Sequence, residues 1–297
     1  MSSIDQVQIH FSQGGQIALM AVLSVIMFGV ALDMDFKKFR EISKKPKPVL
    51  VGLLAHWMLL PLATVFLVKI IQPSPSIALG MFLVAACPSG NMATYITHLS
   101  RGNTVLSISI STIIALTCFV TTPLFFYLMA KTYSPAQPLL HQVDIDIFHL
   151  IAEIGFILGL PMLISVVLIK KKPGIAAKIK KPISVFSFVL FIVFLVVAFI
   201  INKAVFIEYV PAVAWIVAIH NAVGFSIGFL SGKLSGVNIA DAKTIAIECG
   251  IQNTGLGLVL IFSFFGGLGG MALIAAWWGI YHIISGVSLS FLFRKIV

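Results

Sequence analysis

Glu248 stands within Ile245–Gly257, a stretch inside an apolar run long enough to cross a bilayer. The same stretch carries Gln252 and Asn253, and the glycines Gly250, Gly255 and Gly257. A charged side chain at mid-bilayer costs roughly 2.5–3.5 kcal/mol on insertion scales, so a chain keeps one where something compensates it. The glycines predict backbone that loosens beyond Gln252. Such backbone is tolerated at membrane depth where protein buries it or water reaches it. A cation held by Glu248 and by freed carbonyls meets both demands. A protonated carboxyl in a kinked, packed helix is the bland alternative.

A second apolar run is interrupted in the same way, at Cys87-Pro88-Ser89-Gly90-Asn91. Each interruption carries Cys, then Gly, then Asn near mid-depth, on runs of opposite direction. Two broken helices in corresponding positions of two halves point to an inverted-repeat transporter site. At 1.5 Å per residue, Glu248 and His56 each lie about 10 Å inside the same face, level with Thr94 and Ser111. Ser107 is one turn nearer that face, on the side of Ser111. A deeper layer holds Asn91, Gln252, Asn253, Asn221 and His282. Oxygen-rich groups suit a hard cation such as sodium; amides and helix N-termini suit an organic anion. His56 at that depth either takes part in the site, pairing with Glu248 when protonated, or turns away to hydrogen-bond a neighbouring helix.

These residues must be held by a membrane scaffold. Apolar residues make up 59% and charged residues 10% of the 297, against roughly 25% charged in a soluble domain. Nine apolar runs are read at about 16–32, 49–70, 77–98, 104–129, 147–169, 183–201, 209–231, 241–262 and 271–293. All of the 20 lysines and arginines except Lys69, Lys131 and Lys203 fall on one side of these runs. The positive-inside rule places the N-terminus outside and the C-terminus in the cytoplasm. That asymmetry accounts for the net charge of +10 without nucleic acid. Cys87, Cys118 and Cys249 lie in apolar runs and form no disulfide or zinc pattern. No nucleophile–base pair marks an enzyme. The absence of a glycosylation sequon agrees with a bacterial inner membrane. Pro61, Pro123 and Pro161 are read as kinks, Gly224, Gly228 and Gly232 as a packing stripe, and Glu153 as structural.

The stretches Cys87-Pro88-Ser89-Gly90, Leu99-Ser100-Arg101-Gly102-Asn103, His220-Asn221 and Glu248-Cys249-Gly250-Ile251-Gln252-Asn253-Thr254-Gly255-Leu256 resemble the bile acid:sodium symporters, in a nine-helix form. The resemblance implies a core domain of runs two to four and seven to nine, and a panel of runs one, five and six. It implies two sodium sites. Glu248, Ser107 and Ser111 match the first, with Ala93-Thr94 where relatives carry Ser-Asn. Glu248, Gln252 and the carbonyls of Cys249 and Ile251 match the second, with His56 where relatives carry glutamine. His282 matches a position of the substrate pocket.

The expectation is therefore an all-α integral membrane protein of nine spans. Residues 1–15 form an extracytoplasmic N-terminus, 16–146 a first repeat of helices 1–4 and 147–297 a second repeat of helices 5–9. It imports an organic anion, such as a bile acid or small carboxylate, with sodium by alternating access. Sodium-binding residues are Glu248, Gln252, Ser107, Ser111, Thr94, Cys249, Ile251 and His56; substrate-binding residues are Asn91, Asn253, His282 and Asn221. Its partners are the anion, sodium and the bilayer, with no other cofactor. A proton-coupled or sodium-independent carrier, an exporter and a non-transporting anion sensor are the alternatives.

Overall fold

The computed structural model describes residues 3–6, 13–32, 46–90, 92–142, 151–152, 154–201 and 203–296. Asn91, Glu153 and the basic residues Lys37, Lys38, Arg40, Lys44 and Lys45 lie outside the described residues. The ordered elements are helical: α1 (Gln13–Leu32), α2 (Pro46–Ile71), α3 (Pro75–Ala86), α4 (Met92–Leu99), α5 (Thr104–Lys131), α6 (Leu160–Lys171), α7 (Pro173–Ile201), α8 (Lys203–Leu234), α9 (Ile239–Gly250), α10 (Thr254–Phe264) and α11 (Gly269–Phe293). Helices α2, α5, α8 and α11 are each long and apolar enough to cross a membrane. The protein is a helical integral membrane protein.

Helix α2 shows the environment these elements are built for. Its exposed stripe is Leu50, Leu54, Met58, Leu62, Phe66 and Ile70. Its buried side carries Leu53, His56, Leu60, Thr64 and Val68. Both faces are apolar along the middle of the helix, and the polar His56 and Thr64 there point inward, the arrangement a lipid solvent selects.

The proline kinks take a defined form. Residues Ala55–Leu59 make a π-helical turn just before Pro61, with the Leu60 N–H donating to the Ala55 carbonyl. Residues Gly155–Gly159 make another π-helical turn just before Pro161, closed by the Leu160 N–H donating to the Phe156 carbonyl. A proline supplies no N–H to the carbonyl four residues earlier, and a wider turn absorbs the mismatch. His56 sits on the first of these turns.

Helices α2, α3, α5, α8, α9 and α11 pack on one another, while α1 packs on α6 and α7 and touches the rest through α5 and α10. The α8–α9 contact is the most extensive. The glycine stripe explains it: a Cβ at Gly228 would lie 2.5 Å from the Ile245 carbonyl oxygen, and one at Gly232 2.8 Å from the Ala242 Cα. Only hydrogen fits there, so the two backbones touch, as the small-residue spacing predicts.

One end of the bundle is basic. Arg294 Nε donates to the Leu99 carbonyl at 2.6 Å and Lys243 Nζ to the Ile296 carbonyl at 2.7 Å. Asn103 and Asn238 cap α5 and α9 at this end, and each also donates through its side-chain amide to Asp241. Asp241 is thus a buried carboxylate whose two oxygens are both met by amides.

Candidate functional site

The two interrupted segments cross in the middle of the packed helices. Helix α3 ends at Ala86 and α4 resumes at Met92; α9 ends at Gly250 and α10 resumes at Thr254. Between them Ser89 and Gln252 form an antiparallel bridge. The Gly90 N–H donates to the Ile251 carbonyl at 2.9 Å and the Asn253 N–H to the Pro88 carbonyl at 2.7 Å. Unwound backbone in an apolar setting needs partners. Here each break supplies them to the other. Gly90 is required by proximity, since a Cβ there would lie 3.0 Å from the Gln252 carbonyl oxygen.

Breaking a helix also frees carbonyls at its C-terminal end. Four are met by side chains. Thr122 Oγ1 donates to Ala86 at 2.9 Å and His56 Nε2 to Cys87 at 3.1 Å at the end of α3. Gln252 Nε2 donates to Cys249 at 2.8 Å and Asn221 Nδ2 to Gly250 at 2.7 Å at the end of α9. Asn221 Oδ1 in turn accepts from Ser285 Oγ on α11 at 2.6 Å. Thr122 and Ser285 have no signature in the sequence: they are ordinary hydroxyls that only the packing of α5 and α11 brings to the breaks.

Glu248 is fully buried one turn before the α9 break. Ser107 Oγ donates to its Oε1 at 2.5 Å and Ser111 Oγ to its Oε2 at 2.7 Å. Each serine has one hydroxyl proton, and it is spent on the carboxylate. Thr94 Oγ1 therefore donates to Ser107 Oγ at 3.0 Å, and Ser89 Oγ to Ser111 Oγ at 3.3 Å. The result is a run of four hydroxyls converging on one carboxylate from both sides. Among the described residues no basic side chain pairs with Glu248.

Of the residues singled out by sequence, Glu248, Ser107, Ser111 and Thr94 form this one cluster. Gln252 is buried beside the crossing, its Oε1 without a partner. The Cys249 carbonyl accepts from Gln252 and the Ile251 carbonyl from Gly90. His56 is also buried; its Nε2 is committed to Cys87, and its Nδ1 has no partner. Asn253 caps α10 through Oδ1, accepting from the Leu256 N–H. His282 is buried on α11 with Nδ1 unpartnered. Asn91 lies outside the described residues. No group of three or more His, Cys, Asp or Glu among the described residues could hold a transition metal.

The arrangement therefore pairs two kinds of recognition. The Glu248 carboxylate and the hydroxyl oxygens gather in one cluster, oxygen donors of the kind a hard cation takes. The N-termini of α4 and α10, which favour negative charge, meet at the crossing.

A family model described as the Sodium Bile acid symporter family matches residues 20–209. This chain belongs to that family. It is 31% identical to an uncharacterised sodium-dependent transporter of Bacillus subtilis, YocS, over 276 residues, 92% of this chain and 82% of that one. It is 26% identical over 247 residues to a probable sodium/metabolite cotransporter of Arabidopsis thaliana chloroplasts, BASS1, covering 82% of this chain and 59% of that one. The human ileal sodium/bile acid cotransporter is 26% identical over 239 residues, 80% of this chain and 67% of its own. The chain thus spans under two thirds of the chloroplast relative. Sodium Bile acid symporter family members are transporters, which agrees with a site of ligating oxygens rather than a nucleophile and its base.

Proposed function

We propose that this protein is a sodium-coupled secondary active transporter that imports an organic anion by alternating access. The observation that carries the reading is the buried Glu248 carboxylate, ringed by hydroxyls and with no basic partner among the described residues. A charge in that setting calls for a cation. The names of the relatives, sodium-dependent transporter, sodium/metabolite and sodium/bile acid cotransporter, favour sodium as that cation.

In this reading Glu248, Ser107, Ser111 and Thr94 ligate one sodium. Gln252 Oε1 and the Cys249 and Ile251 carbonyls, which keep a second lone pair each, offer a second position next to His56. The anion sits against the α4 and α10 N-termini with Asn91, Asn253, Asn221 and His282 around it. Nine spans in two inverted repeats carry the site. Helices α1, α6 and α7 form the panel against which the remaining helices move, a division supported by their separate packing. The basic end is cytoplasmic, in a bacterial inner membrane, by the positive-inside rule. Substrates are organic anions, such as a bile acid or a small carboxylate.

The test is uptake into proteoliposomes of labelled taurocholate and of small labelled carboxylates, with and without an inward sodium gradient. Accumulation only with the gradient is expected for at least one acid. Accumulation driven equally by a proton gradient would replace sodium with protons, and saturable binding without accumulation would make the protein a sensor.

A further inference from the structure

Helix α7 carries a second feature, remote from the crossing. Its basic end and the preceding turn hold Lys170, Lys171, Lys172, Lys178, Lys180 and Lys181, and no acid occurs from residue 154 to residue 207. Pro182 lies inside α7 just past the last lysine. Lacking an N–H and crowding the preceding turn, a proline distorts the helix it sits in. A shallow, open groove runs there along α7 alone, lined by Lys181, Pro182, Val185, Phe186 and Val189. Val185, Phe186 and Val189 are all more than half exposed.

The spacing is that of one lipid molecule. Lys178, Lys181, Val185 and Val189 recur every three or four residues and so share a face. From Lys181 to Val189 the helix rises about 12 Å, close to the ~15 Å of one leaflet's hydrocarbon. Cations stand at the head of the stripe and branched aliphatics along the tail. A zwitterionic headgroup would bring a choline or ammonium into a cluster of lysines. An anionic phosphodiester meets no such repulsion and gains on the order of 1 kcal/mol per nearby lysine. A second copy docking through this face in the same orientation would set lysine cluster against lysine cluster.

We propose that this groove is a binding site for an anionic phospholipid, with the phosphate between Lys178 and Lys181 and an acyl chain along Val185, Phe186 and Val189. Helix α7 contributes no residue to the carboxylate cluster. It does not depend on what the protein transports.

The experiment is thermal unfolding of the purified full chain in neutral detergent, titrated with dioleoylphosphatidylglycerol, dioleoylphosphatidylcholine or inorganic phosphate. Phosphatidylglycerol should raise the midpoint saturably, phosphatidylcholine by less than half as much, and phosphate not at all. The K178Q/K181Q variant should bind phosphatidylglycerol at least ~10-fold more weakly, about 1.4 kcal/mol. V185W/V189W keeps the lysines and fills the groove, and should lose the response as well. Should that variant fail to fold, native mass spectrometry of wild type and K178Q/K181Q decides by the number of phosphatidylglycerol molecules retained. Equal responses to the two lipids would overturn the proposal. So would an undiminished response in K178Q/K181Q, a response reproduced by phosphate alone, or a dimer that forms through this face at rising protein concentration.

Discussion

Ser89 and Gln252 face each other across the helix crossing as a bridged antiparallel pair, flanked by the Gly90–Ile251 and Asn253–Pro88 backbone bonds. Two breaks 163 positions apart in the chain thus close one another, and the cluster on Glu248 hangs from both: Ser89 and Thr94 come from the first break, Glu248 from the second. A change at one break should be felt at the other.

Gly90 tests that coupling. A Cβ there would meet the Gln252 carbonyl at 3.0 Å, so Gly90→Val must push the crossing apart. Overpacking of this kind costs about 1–3 kcal/mol. The expected outcome is a lower unfolding midpoint in detergent together with a weaker response to sodium. A variant that loses midpoint but keeps the full sodium response would show that the crossing does not position the cation ligands.

Glu248→Gln keeps the volume and removes the charge. Sodium affinity, read from the rise in unfolding midpoint with sodium, should fall at least ~100-fold, about 2.7 kcal/mol. Ser107→Ala and Ser111→Ala should each cost less, and their double mutant less than the sum, because both hydroxyls act on the same carboxylate. An unchanged sodium response in Glu248→Gln would place the cation elsewhere.

Orientation is checked by chemistry at the ends. The native cysteines Cys87, Cys118 and Cys249 are all buried and can be replaced by alanine or serine to clear the background. Cysteines placed at Ser3 and at Lys295 should then react with an impermeant maleimide from opposite sides of the membrane. Reaction of both from one side would remove the odd number of spans.

Much of this architecture is written locally. The start of α5 follows from Gly102-Asn103-Thr104, since an asparagine before a helical run caps its first turn. The interruptions fall where Pro88 and Gly250 stand, and the common depth of Glu248, Thr94 and Ser111 follows from counting residues. The serine donors of the carboxylate are legible because i and i+4 share a face. What is not legible is how freed carbonyls find donors. Thr122 reaches Ala86 from 36 residues away and Asn221 reaches Gly250 from 29, and such pairs depend on which helices become neighbours. For His56 the sequence leaves two roles open, a place at the cation site or a bond to a neighbouring helix. Depth places it beside Glu248, but its Nε2 is drawn to the orphan carbonyl of Cys87.

That bond makes His56 the residue whose replacement is most informative. A carbonyl is only an acceptor, so Nε2 carries the proton, and neutral His56 presents Nδ1 as a buried lone pair without a partner. An imidazole nitrogen is a poorer ligand than an amide oxygen for a hard cation. His56→Gln keeps a donor for Cys87 and adds such an oxygen. His56→Leu keeps bulk and removes the donor, leaving the carbonyl buried and unmet at roughly 1–3 kcal/mol. The leucine variant should therefore unfold at a lower temperature than wild type, and the glutamine variant within a degree or two of it. In vesicles at fixed membrane potential, His56→Gln should show a steeper dependence of uptake on sodium than wild type. For a monoanion it should also gain a voltage dependence, since a second sodium adds one net charge worth about 2.3 kcal/mol per 100 mV. Equal slopes in the two proteins would mean that His56 serves the Cys87 carbonyl alone and does not set how many sodium ions accompany the anion.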